Sequence, residues 1–286
     1  MKSSVIIFPG SNCDRDMDVA LKKFGFKNQM VWHNDLNLPK SDLIILPGGF
    51  SYGDYLRCGS IAAKSKIIKS VVEFANSGGL VVGVCNGFQI LIETGLLPGA
   101  LLRNKYLEFI CKNVFVKINS SENKYFKNIK KNILKLHIAH NEGNYFCSSD
   151  ELKFIEDNNQ IAVNYCNKNG DISEENNPNG SINNIAGILN GKKNILGMMP
   201  HPERLIDPIL SGNDGSILFE SLINNKIILN VWLHTPSPFG AEIIAKQGWD
   251  SITIDMQHGL ITHSDALAIL HAISSTNLSA ISSSRI

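Results

Sequence analysis

A cysteine flanked by glycines at the end of a short apolar run constrains the fold of this chain more than any other feature. The run is Leu80–Val84, and Gly83 and Gly87 stand two residues on either side of Cys85. This spacing is typical of a nucleophile elbow, a sharp turn from strand to helix in which only small residues fit beside the exposed side chain. A helix that begins at Asn86 would place its positive end at the sulfur and favour thiolate. A buried structural cysteine is the alternative.

Short apolar runs alternate with helical patterns through the first hundred residues. We expect strands over 4–8, 42–46 and 80–84 and helices over 16–24, 61–77 and 86–94. This alternation predicts an α/β fold, with parallel strands joined by crossover helices. Ligands on such sheets bind at the carboxyl ends of strands. Gly/Pro turns follow the first two strands at 9–10 and 47–49.

The pattern becomes richer in β-structure after residue 108. Pieces such as 114–118 and 161–165 predict antiparallel strands that extend or cover the same domain. The Lys- and Asn-rich segment 119–132 predicts a solvated surface loop with a short helix. Two closing strands, at 187–189 and 195–199, and a helix over 215–223 would complete a first domain, residues 1–225.

A fresh β/α run follows in residues 226–286. We expect strands at 231–233, 251–255 and from 280 onward, with helices over 240–247 and 264–274. This run stops without completing a sheet or barrel, because a (β/α)₈ barrel takes about 250 residues. The sequence therefore predicts two domains of different character.

Composition excludes several classes of function. Of the 286 residues, 43% are hydrophobic and 19% charged, and a net charge of +1 gives no reason to expect a nucleic-acid or membrane partner. There is no run of the roughly 18 apolar residues that a membrane span needs, and the N-terminal apolar stretch is too short for a signal peptide, so we expect a cytoplasmic protein. The six cysteines show no C-x-x-C pairing, and neither a disulfide framework nor a metal site is predicted.

A cysteine nucleophile needs a base, and the base needs a partner that orients it. His201 stands between Pro200 and Pro202, and Glu203 follows Pro202. The histidine and the acid thus come after the cysteine in the order that the elbow requires. An extended backbone would place both side chains on one side. The third expected element is an oxyanion hole, for which the backbone N–H groups of Gly49 and Asn86 are the candidate donors.

Together these motifs closely resemble those of the class I, or triad, glutamine amidotransferases. The resemblance runs from Met1 to about residue 224 and implies a flavodoxin-like, mostly parallel sheet with flanking helices. Two stretches, FSYGDYLR and NPNGS, are typical of the glutaminase subunits of phosphoribosylformylglycinamidine synthase. The segments that carry the resemblance are FPGSNCDRD, PGGFSYGDYLRCG, GVCNGFQIL, GLLPGALLRN, AHNEGNY, NPNGSINNIAGI and LGMMPHPER.

The resemblance implies a role for each site residue. Cys85 would attack the side-chain amide of glutamine, His201 would act as base and acid, and Glu203 would orient His201. Gln89 and Phe50 would contact the substrate. Asn141 departs from the family pattern, which has glycine between the histidine and the glutamate of this motif.

The resemblance also implies partners. Ammonia would pass to a PurL-like synthetase subunit, which uses ATP and Mg²⁺ to convert formylglycinamide ribonucleotide to its amidine in purine biosynthesis. A small PurS-like subunit would bridge the complex. The chain has no G-x-x-x-x-G-K-[ST] phosphate loop, which agrees with ATP binding elsewhere, and we expect no cofactor in this chain.

The tail contains the segments WL (232–233), PSP (236–238), AEI (241–243) and IDMQHG (254–259). These segments resemble the opening of the HpcH/HpaI class II aldolases. By that resemblance His258 would be a base, Asp255 its partner and Arg285 a contact for a pyruvate carboxylate. Gln257 stands where that family has glutamate, and the metal-binding carboxylates of the family fall beyond residue 286. We therefore expect this truncated, aldolase-like fragment to be inert.

Two other functions remain open for the first domain. One is a DJ-1/PfpI-like cysteine hydrolase, which shares the elbow cysteine but lacks the late Pro-His-Pro-Glu motif. The other is a regulatory or binding module in which the catalytic site has decayed. The order of Cys85, His201 and Glu203 favours an active amidotransferase over both.

Overall fold

The computed structural model divides the chain into two compact units, Met1–Asn225 and Lys226–Ile286. It describes residues 1–119, 123–127, 129–210, 212–224, 230–247, 249, 251–258, 260–274, 276 and 279–283. Within this part of the chain, none of the helices is long and apolar enough to cross a membrane.

The first unit combines a large sheet with a two-stranded ribbon and flanking helices. Its strands are Lys2–Ile7 (β1), Lys27–Trp32 (β2), Leu43–Leu46 (β3), Leu80–Val84 (β4), Ala100–Leu102 (β5), Ile110–Ile118 (β6), Ile133–His140 (β7), Asn144–Phe146 (β8), Ile161–Cys166 (β9), Ile185–Leu189 (β10) and Ile195–Met198 (β11). Its α-helices are Asp14–Lys23 (α1), Lys66–Asn76 (α2), Asn86–Glu93 (α3), Ser149–Asp157 (α4) and Ser216–Asn224 (α5).

The large sheet has nine strands in the order β2-β1-β3-β4-β11-β10-β9-β6-β7. The pairs from β2 to β11 are parallel, and those from β11 to β7 are antiparallel. The predicted α/β fold with a mostly parallel sheet is confirmed, and the antiparallel strands extend that same sheet. Because β3, β4 and β11 are neighbours, the three segments that follow them emerge side by side.

Burial explains which predictions of individual elements succeeded. All four residues of β3 are buried, as are four of the five in β4, and such continuous apolar runs are typical of a central parallel strand. Helix α2 packs Ile67, Ile68, Val71 and Ala75 into the core. It begins at Lys66 and not at residue 61 because Ser65 has an extended backbone, with a φ of −64° and a ψ of 150°.

Four strands went unpredicted: β2 and β7 in the large sheet, and β5 and β8, the two short strands of the ribbon. In β2 only Val31 is buried, so this edge strand carries almost no apolar signal. Strand β7 alternates buried and half-buried residues and pairs with β6 from Ile133 to His140. Lys135 and His137 on the less buried face, together with the buried His140, obscured the alternation.

The prediction of a solvated loop over 119–132 is wrong at the centre of that segment. Tyr125 and Phe126 are fully buried. The Asn123 side chain accepts hydrogen bonds from both of their backbone N–H groups, at 2.9 and 3.1 Å. The Tyr125 hydroxyl donates to the Val81 carbonyl at 2.9 Å and also contacts the carbonyl of Asn194. This lysine-rich segment is thus anchored by two buried aromatic residues, and the Tyr125 hydroxyl bonds it to strand β4.

The second unit is a small parallel β/α run. Its elements are Asn230–Leu233 (β12), Pro238–Ala245 (α6), Ser251–Asp255 (β13), His263–Ile273 (α7) and Ser279–Ser283 (β14). The three strands pair in parallel in the order β12-β13-β14. A separate core that includes Ile252, Ile254 and Ile269 lies between the strands and helices of this unit.

The Tyr125 hydroxyl provides a test of how firmly the loop is held. We expect Tyr125→Phe to lower the free energy of unfolding of the first unit by about 1 kcal/mol, because a buried hydrogen bond to the Val81 carbonyl is lost. Urea unfolding followed by tryptophan fluorescence measures the change. Tyr106→Phe, at an exposed tyrosine, is the matched control, and an equal loss in both variants would contradict the assignment.

Candidate active site

The site is assembled where three adjacent parallel strands end. The turn at Gly48 and Gly49 follows β3, Cys85 follows β4, and His201 follows β11. The Cys85 N–H donates to the Met198 carbonyl at 2.8 Å and ties the elbow to the end of β11. Residues about 150 positions apart in the sequence are thereby brought to one edge of the sheet, where ligands of such folds bind.

Cys85 has the backbone of a strained turn. Its φ of 50° and ψ of −106° lie where L-residues rarely occur, and helix α3 begins at the next residue. A Cβ on Gly87 would lie 1.9 Å from the Leu46 carbonyl oxygen, and one on Gly83 would lie 2.6 Å from the Gly87 carbonyl oxygen. Only glycine allows this approach of helix to strands. The sulfur is buried, 3.6 Å from the Ala139 carbonyl oxygen.

His201 and Glu203 form a buried pair. The His201 Nδ1 lies 2.6 Å from the Glu203 Oε1, and both side chains are almost fully buried. Burial alone would lower the pKa of His201, but the Glu203 carboxylate and the nearby sulfurs of Cys85 and Cys13 raise that pKa well above its usual value. Since Nδ1 faces the carboxylate, Nε2 is the nitrogen left to exchange a proton with a neighbouring group.

Of the two expected oxyanion donors, Asn86 follows Cys85 directly at the start of α3, and Gly49 lies in the loop after β3. Among the described residues, neither the Gly49 N–H nor the Asn86 N–H donates to a backbone or side-chain acceptor. The Asn86 side chain links the elbow to the loop after β3, since its Oδ1 accepts from the Ser51 N–H at 3.2 Å. Free N–H groups beside a nucleophile are what an oxyanion hole requires. The role of these two groups stays a prediction.

The two residues predicted to contact substrate have different surroundings. Gln89 is buried, and its amide is already engaged: Nε2 donates to the Glu142 carbonyl at 2.7 Å, and Oε1 accepts from the Asn86 Nδ2 at 2.8 Å. Phe50 is 41% exposed, and its ring centroid lies 6.3 Å from that of Phe109. Their contacts with substrate stay predictions.

The turn with the unusual Asn141 is held by Asn104. The Asn104 N–H donates to the Asn141 carbonyl at 2.9 Å, and its side chain contacts both the His140 ring and the Gly143 N–H. Burial, together with the charge of His201, lowers the pKa of His140 to about 3, so its ring is neutral beside the site. The φ of Asn141 is not positive, so its backbone conformation does not require glycine.

Sequence reasoning assigned no role to Cys13 and Arg204, which the structure places against the triad. Ligand atoms of Cys13, His201 and Glu203 lie within 4.8 Å of one another, a grouping that could hold a metal ion. However, the Arg204 Nη2 lies 3.1 Å from the Cys13 Sγ, and a guanidinium there disfavours a cation. The available signal was that Cys13 stands in the motif FPGSNCDRD and Arg204 in the motif LGMMPHPER.

In the second unit, two of the three residues predicted for an aldolase-like site lie close together. Asp255 is buried at the end of β13, and the His258 Nδ1 lies 3.7 Å from its Oδ1. The His234 Nδ1, which was not predicted, lies 3.0 Å from the Asp255 Oδ2. Arg285 lies outside the described residues.

The fold and this site define a glutamine amidotransferase domain. The sequence profile of the CobB/CobQ-like glutamine amidotransferase domain matches residues 1–213. The crystal structure of a glutamine amidotransferase from Thermotoga maritima, 16% identical over 78% of this chain and 96% of its own, has a TM-score of 0.52 and shows the fold alone.

Relatives with higher identity narrow the assignment. Phosphoribosylformylglycinamidine synthase subunit PurQ of Pelagibacter ubique is 74% identical over 79% of this chain and 99% of its own length. The PurQ subunit of Synechocystis is 50% identical over 76% of this chain and 98% of its own. A chain in the structure of PurLQS from Thermotoga maritima is 40% identical, with a TM-score of 0.69 over 78% of this chain and 97% of that one. The chain therefore belongs to the PurQ family.

The charge of Glu203 determines the pH up to which His201 stays protonated. We expect Glu203→Gln to lower kcat for glutamine hydrolysis roughly a hundredfold and to move the alkaline limb of kcat/KM about one pH unit lower. The carboxylate raises the pKa of His201, so its neutralisation lowers that pKa, and the proton needed by the departing ammonia is lost at lower pH.

A pH series of initial rates measures this effect. Glu73→Gln, which neutralises an exposed carboxylate on α2, is the control and should retain the parent profile. A Glu203→Gln profile with an unmoved alkaline limb would rule out this electrostatic role.

Proposed function

We propose that this chain is the glutaminase subunit of phosphoribosylformylglycinamidine synthase. It hydrolyses glutamine to glutamate and ammonia and delivers the ammonia for synthesis of formylglycinamidine ribonucleotide in purine biosynthesis. The observation that carries the proposal is the buried His201–Glu203 pair beside Cys85, on a chain 74% identical to a PurQ subunit.

Chemistry begins at the sulfur of Cys85. The thiolate attacks the side-chain amide carbon of glutamine, and the carbonyl electrons move to an oxyanion near the N–H groups of Gly49 and Asn86. When the C–N bond breaks, protonated His201 gives its proton to the leaving ammonia. A glutamyl thioester remains on Cys85.

Water then completes the cycle. Neutral His201 takes a proton from water, whose oxygen attacks the thioester carbon, and the C–S bond breaks to release glutamate and the thiolate. Glu203 stabilises the imidazolium at each stage in which it forms, because its Oε1 faces Nδ1 at 2.6 Å. The chain's own residues supply every proton-transfer group that these steps need.

The ammonia goes to a partner. A PurL-like synthetase subunit uses ATP and Mg²⁺ to form the amidine, and a small PurS-like subunit bridges the two. The relative from Thermotoga maritima, whose structure is described as PurLQS, supports this assembly. This chain needs no cofactor of its own. The protein works in the cytoplasm, a reducing compartment that agrees with six free cysteines.

The competing functions for the first unit have less support. A DJ-1/PfpI-like hydrolase would not need the Pro200–Arg204 segment, yet this segment places a base 2.6 Å from a carboxylate. In a decayed regulatory module we would expect one or more catalytic residues to be lost or displaced. Here the strained backbone of the elbow and the buried His201–Glu203 pair are both intact.

We further infer that the second unit is aldolase-like but inert. The parallel order β12-β13-β14 and the buried Asp255 beside His258 at a strand end support the likeness. Within the described part of this unit, no cluster of His, Cys, Asp and Glu could hold a metal ion. Metal-dependent aldol chemistry would need such ligands.

Replacement of the nucleophile tests the proposed function. In the complex with synthetase and bridging subunits, we expect Cys85→Ala to lower glutamine-dependent amidine formation by at least about a thousandfold. Ammonium chloride should still support synthesis at the parent rate, because the partner holds that chemistry. Release of glutamate by the variant at more than a trace of the parent rate would refute the assignment.

Removal of the second unit tests its inertness. We expect a chain ending at residue 225 to keep glutamine hydrolysis within about twofold of the parent, since a domain with its own core folds independently. A matched assay of the full chain for pyruvate aldol cleavage with Mg²⁺ or Mn²⁺ should give no product. Large loss of glutaminase activity, or metal-dependent cleavage, would contradict the inference.

A further inference from the structure

Cys13 is a buried thiol that the glutaminase mechanism leaves unused. It follows β1 and precedes α1, with its carbonyl accepting from the Met17 N–H at 3.1 Å. Because β1 is the neighbour of β3 in the sheet, the loop that holds Cys13 lies beside the turn at Gly48 and Gly49. A residue in the loop after β1 thus reaches the edge where the site is built.

The sulfur of Cys13 contacts the segment that bears the base. The Arg204 Nη2 donates to Sγ at 3.1 Å. Ligand atoms of Cys13, His201 and Glu203 lie within 4.8 Å of one another. The His201 Nε2 is buried and makes no hydrogen bond of normal geometry within the described part of the chain. Glu203 holds the Nδ1 side of the ring, and the Cys13 sulfur lies close to the same pair.

Cys13 also contacts the segment that bears an oxyanion donor. A Cβ on Gly48 would lie 3.4 Å from the Cys13 Sγ and 2.6 Å from the His201 Cε1. The Cys13 S–H lies 3.6 Å from the Asn12 Oδ1, and a Cβ on Gly49 would lie 2.6 Å from the Asn12 N. The turn after β3 is therefore packed directly on Asn12 and Cys13.

Arg204 provides a fixed charge behind the sulfur. Burial lowers the pKa of its half-buried guanidinium, but Cys13, Glu203 and Asp16 outweigh this effect and raise it. A permanently protonated guanidinium that donates to the sulfur holds the thiol in one position, because hydrogen bonds from charged donors are the stronger ones.

We propose that Cys13, anchored by Arg204, is a positioning residue that holds His201 and the Gly48–Gly49 turn in register with Cys85. It forms no bond to glutamine. The proposal rests on the proposed glutaminase function and adds to it a second thiol with a purely geometric role. Proton transfer and oxyanion stabilisation both depend on placement within a fraction of an ångström, so one buried contact serves both.

Loss of the Cys13 sulfur should change the pH dependence of kcat/KM as well as the rate. His201 is faced by Glu203, Cys85 and Cys13, and by His137 and His140 from β7. Arg204, from the same segment as His201, contacts Cys13. Cys13 is among the groups that raise the pKa of His201. Removal of its sulfur should therefore move the alkaline limb of kcat/KM to lower pH, which loss of packing alone would not do.

The experiment compares Cys13→Ala, Cys13→Ser and the control Cys147→Ala in the complex with synthetase and bridging subunits. Cys147 is another buried free cysteine, and it lies outside the site. We expect Cys13→Ala to lower kcat for glutamine roughly tenfold with KM within about twofold, because chemistry and not binding is disturbed. Cys13→Ser, which still accepts from Arg204, should recover most of kcat, and the control should match the parent.

Three results would overturn the proposal. One is a folded Cys13→Ala variant with parental kcat and pH profile; another is an equal loss in Cys147→Ala. If Cys13→Ala fails to fold, Cys13→Ser decides: a kcat close to the parent together with a lowered alkaline limb supports the proposal, and any other result overturns it. Failure of the glutaminase assignment is detected separately, by glutamate release from Cys85→Ala.

Discussion

The close approach of helix α3 to strands β3 and β4 is the constraint on which the site depends. Gly87 and Gly83 permit it, since a Cβ on either would overlap the backbone atoms opposite. With the helix this close, Cys85 is forced to a φ of 50°, and its sulfur projects at the end of β4. Strain of this kind persists only where surrounding structure over-determines it. Here the bond from the Cys85 N–H to the Met198 carbonyl and the buried core around α3 supply that structure.

Burial of the acid–base pair is the second physical theme. Taking a histidine and a carboxylate out of water is costly unless they pair closely. His201 and Glu203 meet at 2.6 Å with almost no solvent exposure, so each stabilises the charged form of the other. The same dry environment strengthens every interaction with charge that develops during the reaction. The Arg204 guanidinium contributes a further fixed charge, held at the Cys13 sulfur beside this pair.

Local signals predicted the central parallel strands well and the two edge strands of the sheet, β2 and β7, poorly. Strands β3 and β4 are continuous apolar runs that no other structure explains easily. Helix α2 was predicted five residues too early, because apolar content continues into a turn that Ser65 ends with an extended backbone. Tyr125 was assigned to a solvated loop, since the surrounding lysines and asparagines outweighed two aromatic residues whose partners, Val81 and Asn194, are distant in sequence.

By itself the sequence determined the elbow, the residue types of the triad and their order along the chain. These follow from local rules: glycine where a Cβ cannot fit, and cysteine, histidine and glutamate where the chemistry needs them. Only the tertiary structure decided that β3, β4 and β11 are adjacent, and that the loop after β1 brings Cys13 to His201 and Arg204. Strand order depends on the packing of the whole sheet, which no short window of sequence encodes.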